Sequence, residues 1–277
     1  MRVCVIGGDG RLRLLAELLQ KAGHETSTWG QGGEDDPQAL LKARAAVLPF
    51  PRAAADGFVP APFGKKPVPV YEVASLLGED VFLLSGTLDG ALAETAKKKG
   101  WHVLLPGADS AFEAQNAMPS AEGAVFAAMR KADFTLCGSV CLVIGPGRIG
   151  KELARMLLGI GAKVLMAARR EEALQSAAQM GCVPVSMESL PEAAGQADIL
   201  FNTAPSPVAG EAVMAAMHQG ALAIDLASAP YGIDLEAAGR HGIEAWREGG
   251  IPGKYAPRTA ARLLFDYFQT HIRSDSL

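Results

Sequence analysis

Long hydrophobic runs are missing from this chain. Although 49% of its 277 residues are hydrophobic, no apolar stretch approaches the roughly 18 to 20 residues of a membrane-spanning helix, so no membrane partner is expected. The start, Met1–Gly7, holds too short an apolar segment for a secretory signal, and none is expected. Cysteine is scarce. Cys4, Cys137, Cys141 and Cys182 make no Cys-x-x-Cys pair and have no neighbouring histidine to complete a zinc set, so no metal is expected. Cys4 and Cys141 read instead as small buried hydrophobes, which suits a reducing cytoplasm. An excess of positive charge is also lacking. At a net charge of −4 there is no electrostatic footprint for a polyanion, and Lys97-Lys98-Lys99 reads as the solvated end of a helix, so nucleic acid is not an expected partner.

What is present is a repeated switch between short β-rich runs and longer helical stretches, the pattern of parallel sheets with crossover helices. The expected fold is α/β: two Rossmann-like, doubly wound parallel-sheet domains with a cleft between them. The expected organisation is a substrate-side domain over 1–118, a connecting helix and linker over 119–138, a dinucleotide-binding domain over 139–256, and a last helix over 257–277 packing back on the first domain. Strands are expected at Val3–Ile6, Glu25–Trp29, Ala45–Phe50, Val81–Ser85 and His102–Leu105 in the first domain. The second should hold strands at Val140–Ile144, Ala162–Ala167, Ile199–Asn202, Ala221–Asp225 and Glu244–Trp246. Pro60–Pro69 has four prolines and marks an irregular excursion, either a lid or a long connection. In the last helix, Leu263, Leu264, Phe265, Tyr267 and Phe268 supply apolar faces, a natural homo-oligomer surface if the first domain leaves them bare.

The most informative segment is Val140-Cys-Leu-Val-Ile-Gly145-Pro-Gly147-Arg148-Ile149-Gly150, a strand running through a glycine turn into a helix. It reads as a nucleotide-binding βα turn. Gly145 makes the turn, Gly147 lets a pyrophosphate approach, Gly150 lets helix pack on strand, and Arg148 and Ile149 open a helix whose N–H groups face the anion. The next strand ends in Ala168-Arg169-Arg170, where an NAD site would carry an acid for the ribose 2′-hydroxyl. Two guanidinium groups favour a 2′-phosphate, hence NADP, with an ordinary basic pair on a solvated loop as the alternative. Asn202, Thr203, Ala204 and Pro205 follow one strand and Leu226, Ala227 and Ser228 another, so their backbones should edge the nicotinamide and ribose.

The opening turn Gly7-Gly-Asp9-Gly-Arg11 has the outline of a dinucleotide fingerprint, but an aspartate and a leucine occupy its second and third glycine positions. An aspartate would repel a pyrophosphate. This domain therefore reads as the substrate side, with the helix start and Arg11 offering a place for a carboxylate. Arg11 lying in solvent is the alternative.

In this order, Gly7–Arg11, Pro119-Ser120-Ala-Glu122-Gly123, Gly145–Gly150, Ala168-Arg169, Asn202-Thr203 with Pro205, Asp225–Ser228, Pro252-Gly253 and Ala256-Pro257-Arg258-Thr259-Ala260 span essentially the whole chain. Together they resemble the family of dipicolinate synthase A subunits. Members carry Lys where Arg258 stands and Ala where Gly10 stands. The resemblance implies a cytoplasmic enzyme of the mother cell of a sporulating bacterium. It would act with a flavoprotein-like B subunit of dipicolinate synthase to oxidise dihydrodipicolinate to dipicolinate (pyridine-2,6-dicarboxylate) while reducing NADP. A dicarboxylate on a flat ring calls for two separated anion-binding groups, for which Arg11 and Arg258 are the candidates, with Thr259 beside Arg258 at a helix start. Glu122 and Asp225 are the candidate proton acceptors, with water a third, and Ser120 is placed to cap the connecting helix and face the substrate. Each of these has an alternative reading as a surface charge, a helix-start charge or a turn residue.

Two other functions share the architecture. A 2-hydroxy acid dehydrogenase needs a histidine in the loop before the last helix, and His24, His102, His218, His241 and His271 all lie elsewhere. A non-catalytic or regulatory NADP-binding subunit is the other.

Overall fold

The computed structural model describes residues 1–33, 36–88 and 90–274. The chain forms two compact units, one of Met1–Asn116 joined by the chain from Pro252 onward, the other of Ala117–Ile251. Among the described residues no helix is long and apolar enough to cross a membrane.

In the first unit β1 (Arg2–Ile6), α1 (Gly10–Lys21), β2 (Glu25–Trp29) and β3 (Ala45–Val47) are followed by a short hairpin, β4 (Phe58–Val59) and β5 (Val68–Pro69). Then come α2 (Val70–Leu76), β6 (Phe82–Leu84), α3 (Gly90–Lys99), β7 (His102–Leu104) and the start of α4 (Ser110–Lys131). The main sheet has five parallel strands in the order β2-β1-β3-β6-β7. Its strands are apolar on both faces because helices cover both. Cys4, Ile6, Ala46 and Leu83 face Val73, Leu77 and Leu92, while Val3, Val5, Ala45 and Leu84 face Leu12, Leu15 and Leu19. Burial pushes the Cys4 thiol up to about 11, so it is no nucleophile near neutral pH.

The second unit continues α4 and then runs β8 (Val140–Ile144), α5 (Arg148–Ile160), β9 (Lys163–Ala168), α6 (Glu171–Gln179), β10 (Val183–Ser186) and α7 (Leu190–Gly195). It finishes with β11 (Ile199–Asn202), α8 (Glu211–Ala216), β12 (Leu222–Asp225), α9 (Leu235–Arg240) and β13 (Glu244–Arg247). Its six parallel strands take the order β10-β9-β8-β11-β12-β13, the doubly wound dinucleotide-binding arrangement. Burial likewise pushes Cys141 up to about 11. After α10 (Ile251–Tyr255), α11 (Pro257–Ser274) returns to the first unit.

Several local expectations need correction. The connecting helix does not start at Pro119: α4 begins at Ser110, with Pro119 inside it. Its cap is Asp109, whose carboxylate accepts the backbone N–H groups of Ala111 at 2.7 Å and Phe112 at 3.1 Å. Those bonds, Phe112's first, hold Asp109 below the usual carboxylate range. A proline costs one interior helix bond, and the packing of Ala117, Ala121, Ala124 and Ala128 in this helix outweighs it. The last helix does not leave its apolar stripe bare. Ala261, Leu264, Phe268 and Ile272 share one stripe and are buried in the core that holds α1, with Leu263, Phe265 and Tyr267 packed alongside.

Candidate functional site

The strand order of the second unit reverses between β8 and β11, so the loops after Ile144 and Asn202 flank a crevice. Two of the three glycines there are required by the protein itself. Gly145 has φ +100°, and a Cβ on it would lie 2.7 Å from Thr203 Oγ1; one on Gly150 would lie 2.0 Å from the Gly145 carbonyl oxygen. Gly147 is different. Its φ is −72° and a Cβ there would meet nothing within 4 Å, so the protein itself does not call for glycine at this position. The first-turn N–H groups of Arg148, Ile149 and Gly150 follow directly, with no side chain capping them.

A cavity of about 360 Å³ opens beside this turn. Ile144, Ala167, Ala173, Met187 and Val208 give it an apolar lining, Gly145–Gly147 and Ala204–Ser206 form walls, and Arg169 and Arg170 stand at its rim. An adenosine suits the apolar part and a phosphate the rim. β9 ends at Ala168 without an acid, and the first carboxylates, Glu171 and Glu172, come only in the first turn of α6. Both arginines are exposed, and Arg169 Nη2 donates to Ser206 Oγ at 3.1 Å. The residues present therefore fit a phosphorylated dinucleotide.

The loops expected to touch the cofactor with their side chains are built differently. Thr203 Oγ1 donates back to the carbonyls of Ile144 and Gly145, at 3.0 and 2.9 Å, so it braces the glycine turn. Asn202 is fully buried: its Nδ2 donates to the Ala204 carbonyl and to Asp225 Oδ1, and its Oδ1 accepts the Ala204 N–H. Asp225 is buried too. Oδ1 accepts from Asn202 Nδ2 and the Ala227 N–H, Oδ2 from the N–H groups of Gly232 and Ile233, all at 2.8 to 3.1 Å. A carboxylate with four donors has no lone pair aimed at a substrate proton, so Asp225 holds a loop where catalysis was expected of it. Gly232 packs so closely on Asn202 that a Cβ would lie 2.1 Å from its Nδ2. The result is a rigid base for Leu226, Ala227 and Ser228, which are half-buried to exposed.

In the first unit the order reverses between β1 and β3, and Arg11 sits at that point. It is only 4% exposed. Its Nε and Nη2 bind both oxygens of Asp9, at 2.8 to 3.1 Å, and Nη2 also donates to the Phe50 carbonyl at 2.6 Å. Asp9 also caps α1 by accepting the Arg11 N–H, and the Gly8 N–H goes to the Pro60 carbonyl at 2.6 Å. The helix start is thus already filled by an internal carboxylate, which corrects the expectation of a free anion site there. Pro60–Gly64 is no lid: it lies against Gly7, Gly30 and Gly32, with a Cβ on Gly7 falling 2.5 Å from the Pro60 oxygen. Pro257 approaches Gly10, and Gly253 rests on the Asp9–Arg11 pair, where a Cβ would be 2.2 Å from Asp9 Oδ2. This gathers Arg11, Arg258 and Thr259 at one end of α1 and α11, the latter two exposed.

Ser120 is buried in the middle of α4, so it caps nothing, and Glu122 is an exposed residue of the same helix interior, not of its start. Sequence reasoning missed Ser206 and the Asn202–Asp225 staple, and it singled out Gly253 without its contact to Asp9 and Arg11. Only Ser206 carried a signal, as a hydroxyl directly after Pro205 at a strand end.

Residues 2–105 match the family described as the N-terminal domain of the dipicolinate synthase A subunit. The A subunit of dipicolinate synthase from Bacillus subtilis (strain 168) is 28% identical over 276 residues, 95% of this chain and 93% of that protein. The chain is similar to the dipicolinate synthase A subunit over nearly its full length. The crystal structure of the A subunit from Bacillus halodurans superposes with a TM-score of 0.87 at 28% identity, covering 98% of this chain and 97% of that one. Its Bacillus subtilis counterpart superposes at 0.85 with 26% identity over 99% and 96%. Residues 110–231 match the NAD-binding domain of D-isomer specific 2-hydroxyacid dehydrogenases, so the second unit is of the dehydrogenase type and the protein an oxidoreductase with a nicotinamide cofactor.

Proposed function

We propose that this chain is an NADP-dependent oxidoreductase that converts dihydrodipicolinate to dipicolinate and acts with the B subunit of dipicolinate synthase. Similarity to the A subunit over nearly the full length of both proteins carries the reading. When bound, NADP+ supplies a hydride acceptor at nicotinamide C4, so that dihydrodipicolinate and NADP+ give dipicolinate, NADPH and one proton. Gly147 and the N–H groups of Arg148, Ile149 and Gly150 take the diphosphate, and Arg169 and Arg170 take the 2′-phosphate. One substrate carboxylate is bound by Arg258 and Thr259 at the start of α11. The other meets Arg11, whose Nη1 is left over when Asp9 and the Phe50 carbonyl have claimed Nε and Nη2. Asp9 holds that guanidinium in one orientation.

Aromatisation of the ring provides much of the driving force, so these residues act mainly by positioning. Asp225 is occupied by its four donors, and the ring proton passes to water, with Glu122 the one candidate carboxylate left exposed.

The test is to mix the purified chain with freshly generated dihydrodipicolinate and NADP or NAD, with and without the B subunit. Reduced nicotinamide is followed at about 340 nm and dipicolinate by its ultraviolet absorption. Both signals should rise together, faster with NADP. If neither rises although NADP binds, the chain is a nucleotide-binding scaffold or regulator and the proposal fails.

A further inference from the structure

β9 and β11 are not neighbours: β8 lies between them, which sets their carboxyl ends about 10 Å apart across the mouth of the cofactor cavity. One hydrogen bond spans that mouth. Arg169, just after β9, reaches over with Nη2 to donate to Ser206 Oγ, in the loop after β11, at 3.1 Å, and both residues line the cavity. Arg169 is exposed and Ser206 half-buried, so packing alone does not hold them together.

The chemistry of the pair is directional. A guanidinium has five N–H groups and one is spent on Ser206; the serine oxygen, in accepting it, keeps its own O–H to donate elsewhere. Arg169 and Ser206 therefore present adjacent donors toward the rim, at a spacing that suits two oxygens of one phosphate group. We propose that Ser206 is a specificity-determining residue that reads the 2′-phosphate of NADP together with Arg169. The proposal rests on the NADP reading above. It adds a group from the opposite wall of the cavity to the two arginines at the end of β9, so the phosphate is clasped from both sides and Arg169 is aligned before it arrives.

NADPH and NADH, titrated separately by the change in nicotinamide fluorescence into the full chain and into Ser206→Ala, Ser206→Thr, Ser206→Asp and Arg169→Ala, test this. The wild type should prefer NADPH. Ser206→Ala should weaken NADPH about tenfold and leave NADH unchanged, because one bond to a charged group is lost. Ser206→Thr keeps the hydroxyl and should keep the preference. Ser206→Asp places a carboxylate on Arg169 and should weaken NADPH about a hundredfold or more. All should melt with the wild type, since Arg169 is exposed and Ser206 lines an open cavity rather than the core. If Arg169→Ala abolishes the preference while Ser206→Ala retains it, the role of Ser206 is overturned and the NADP reading stands. If the wild type binds NADPH and NADH equally, the NADP reading fails and takes this proposal with it.

Discussion

Replacing Asp225 with Asn keeps size and shape but exchanges one acceptor oxygen for an NH2 group. The native carboxylate accepts four N–H groups. With the amide oxygen kept toward Gly232 and Ile233, the new NH2 faces the Asn202 Nδ2 and the Ala227 N–H, donor against donor. Turning the Asn202 amide to compensate breaks its own bonds to Ala204. Two charge-assisted bonds are therefore lost, at roughly 1.5 to 3 kcal/mol each, while removal of a buried charge returns part of that. The net destabilisation should be about 3 kcal/mol. For a unit of this size that is a melting point lower by roughly 10 °C, readable by calorimetry. The pH profile of turnover separates the roles. If Asp225 only holds the loop, the variant measured well below its melting point keeps the wild-type pH dependence at reduced rate. A variant that melts within about 2 °C of the wild type, yet is inactive with one limb of the profile gone, would refute the reasoning and restore Asp225 as the proton acceptor.

Other outcomes follow from the same geometry. Gly150→Ala sets a Cβ against the Gly145 carbonyl and should unfold the turn, whereas Gly147→Ala meets no protein atom and should leave the melting point within about 2 °C while weakening NADPH at least tenfold; parallel melts and titrations compare them. Gly253→Ala intrudes on the Asp9–Arg11 pair, so the substrate KM should rise about tenfold with NADPH affinity unchanged in steady-state and binding assays. His24 has a buried Nδ1 with no hydrogen-bond partner, and burial lowers its pKa below the ordinary value of 6.5. The unfolded chain then binds the proton more readily, so the stability contributed by neutral His24 is present above about pH 6.5 and lost as pH falls below it. Melting points between about pH 7.5 and 5 should fall more steeply for the wild type than for His24→Gln; parallel curves would contradict this.

The sequence by itself determined the parts that depend on local order. Periodicity and glycine spacing specify two parallel-sheet units, the glycine turn at Gly145–Gly150 and the absence of an acid after β9, because strand, turn and helix start occupy contiguous residues. The start of α4 was hidden by Pro119, a strong local breaker overridden by burial of the alanines around it. β10 was hidden by Pro184, which an edge strand tolerates. Tertiary structure alone decided the fate of the charged candidates. Asp225 and Arg11 look like free reactive groups in the sequence, yet one is consumed by donors seven and eight residues onward and on a neighbouring strand, while the other gives Nε and Nη2 to Asp9 and the Phe50 carbonyl and keeps only Nη1. The Arg169–Ser206 bond joins residues 37 apart across an intervening strand. A polar group's availability depends on which partners the fold brings to it, and those partners are distant in the chain.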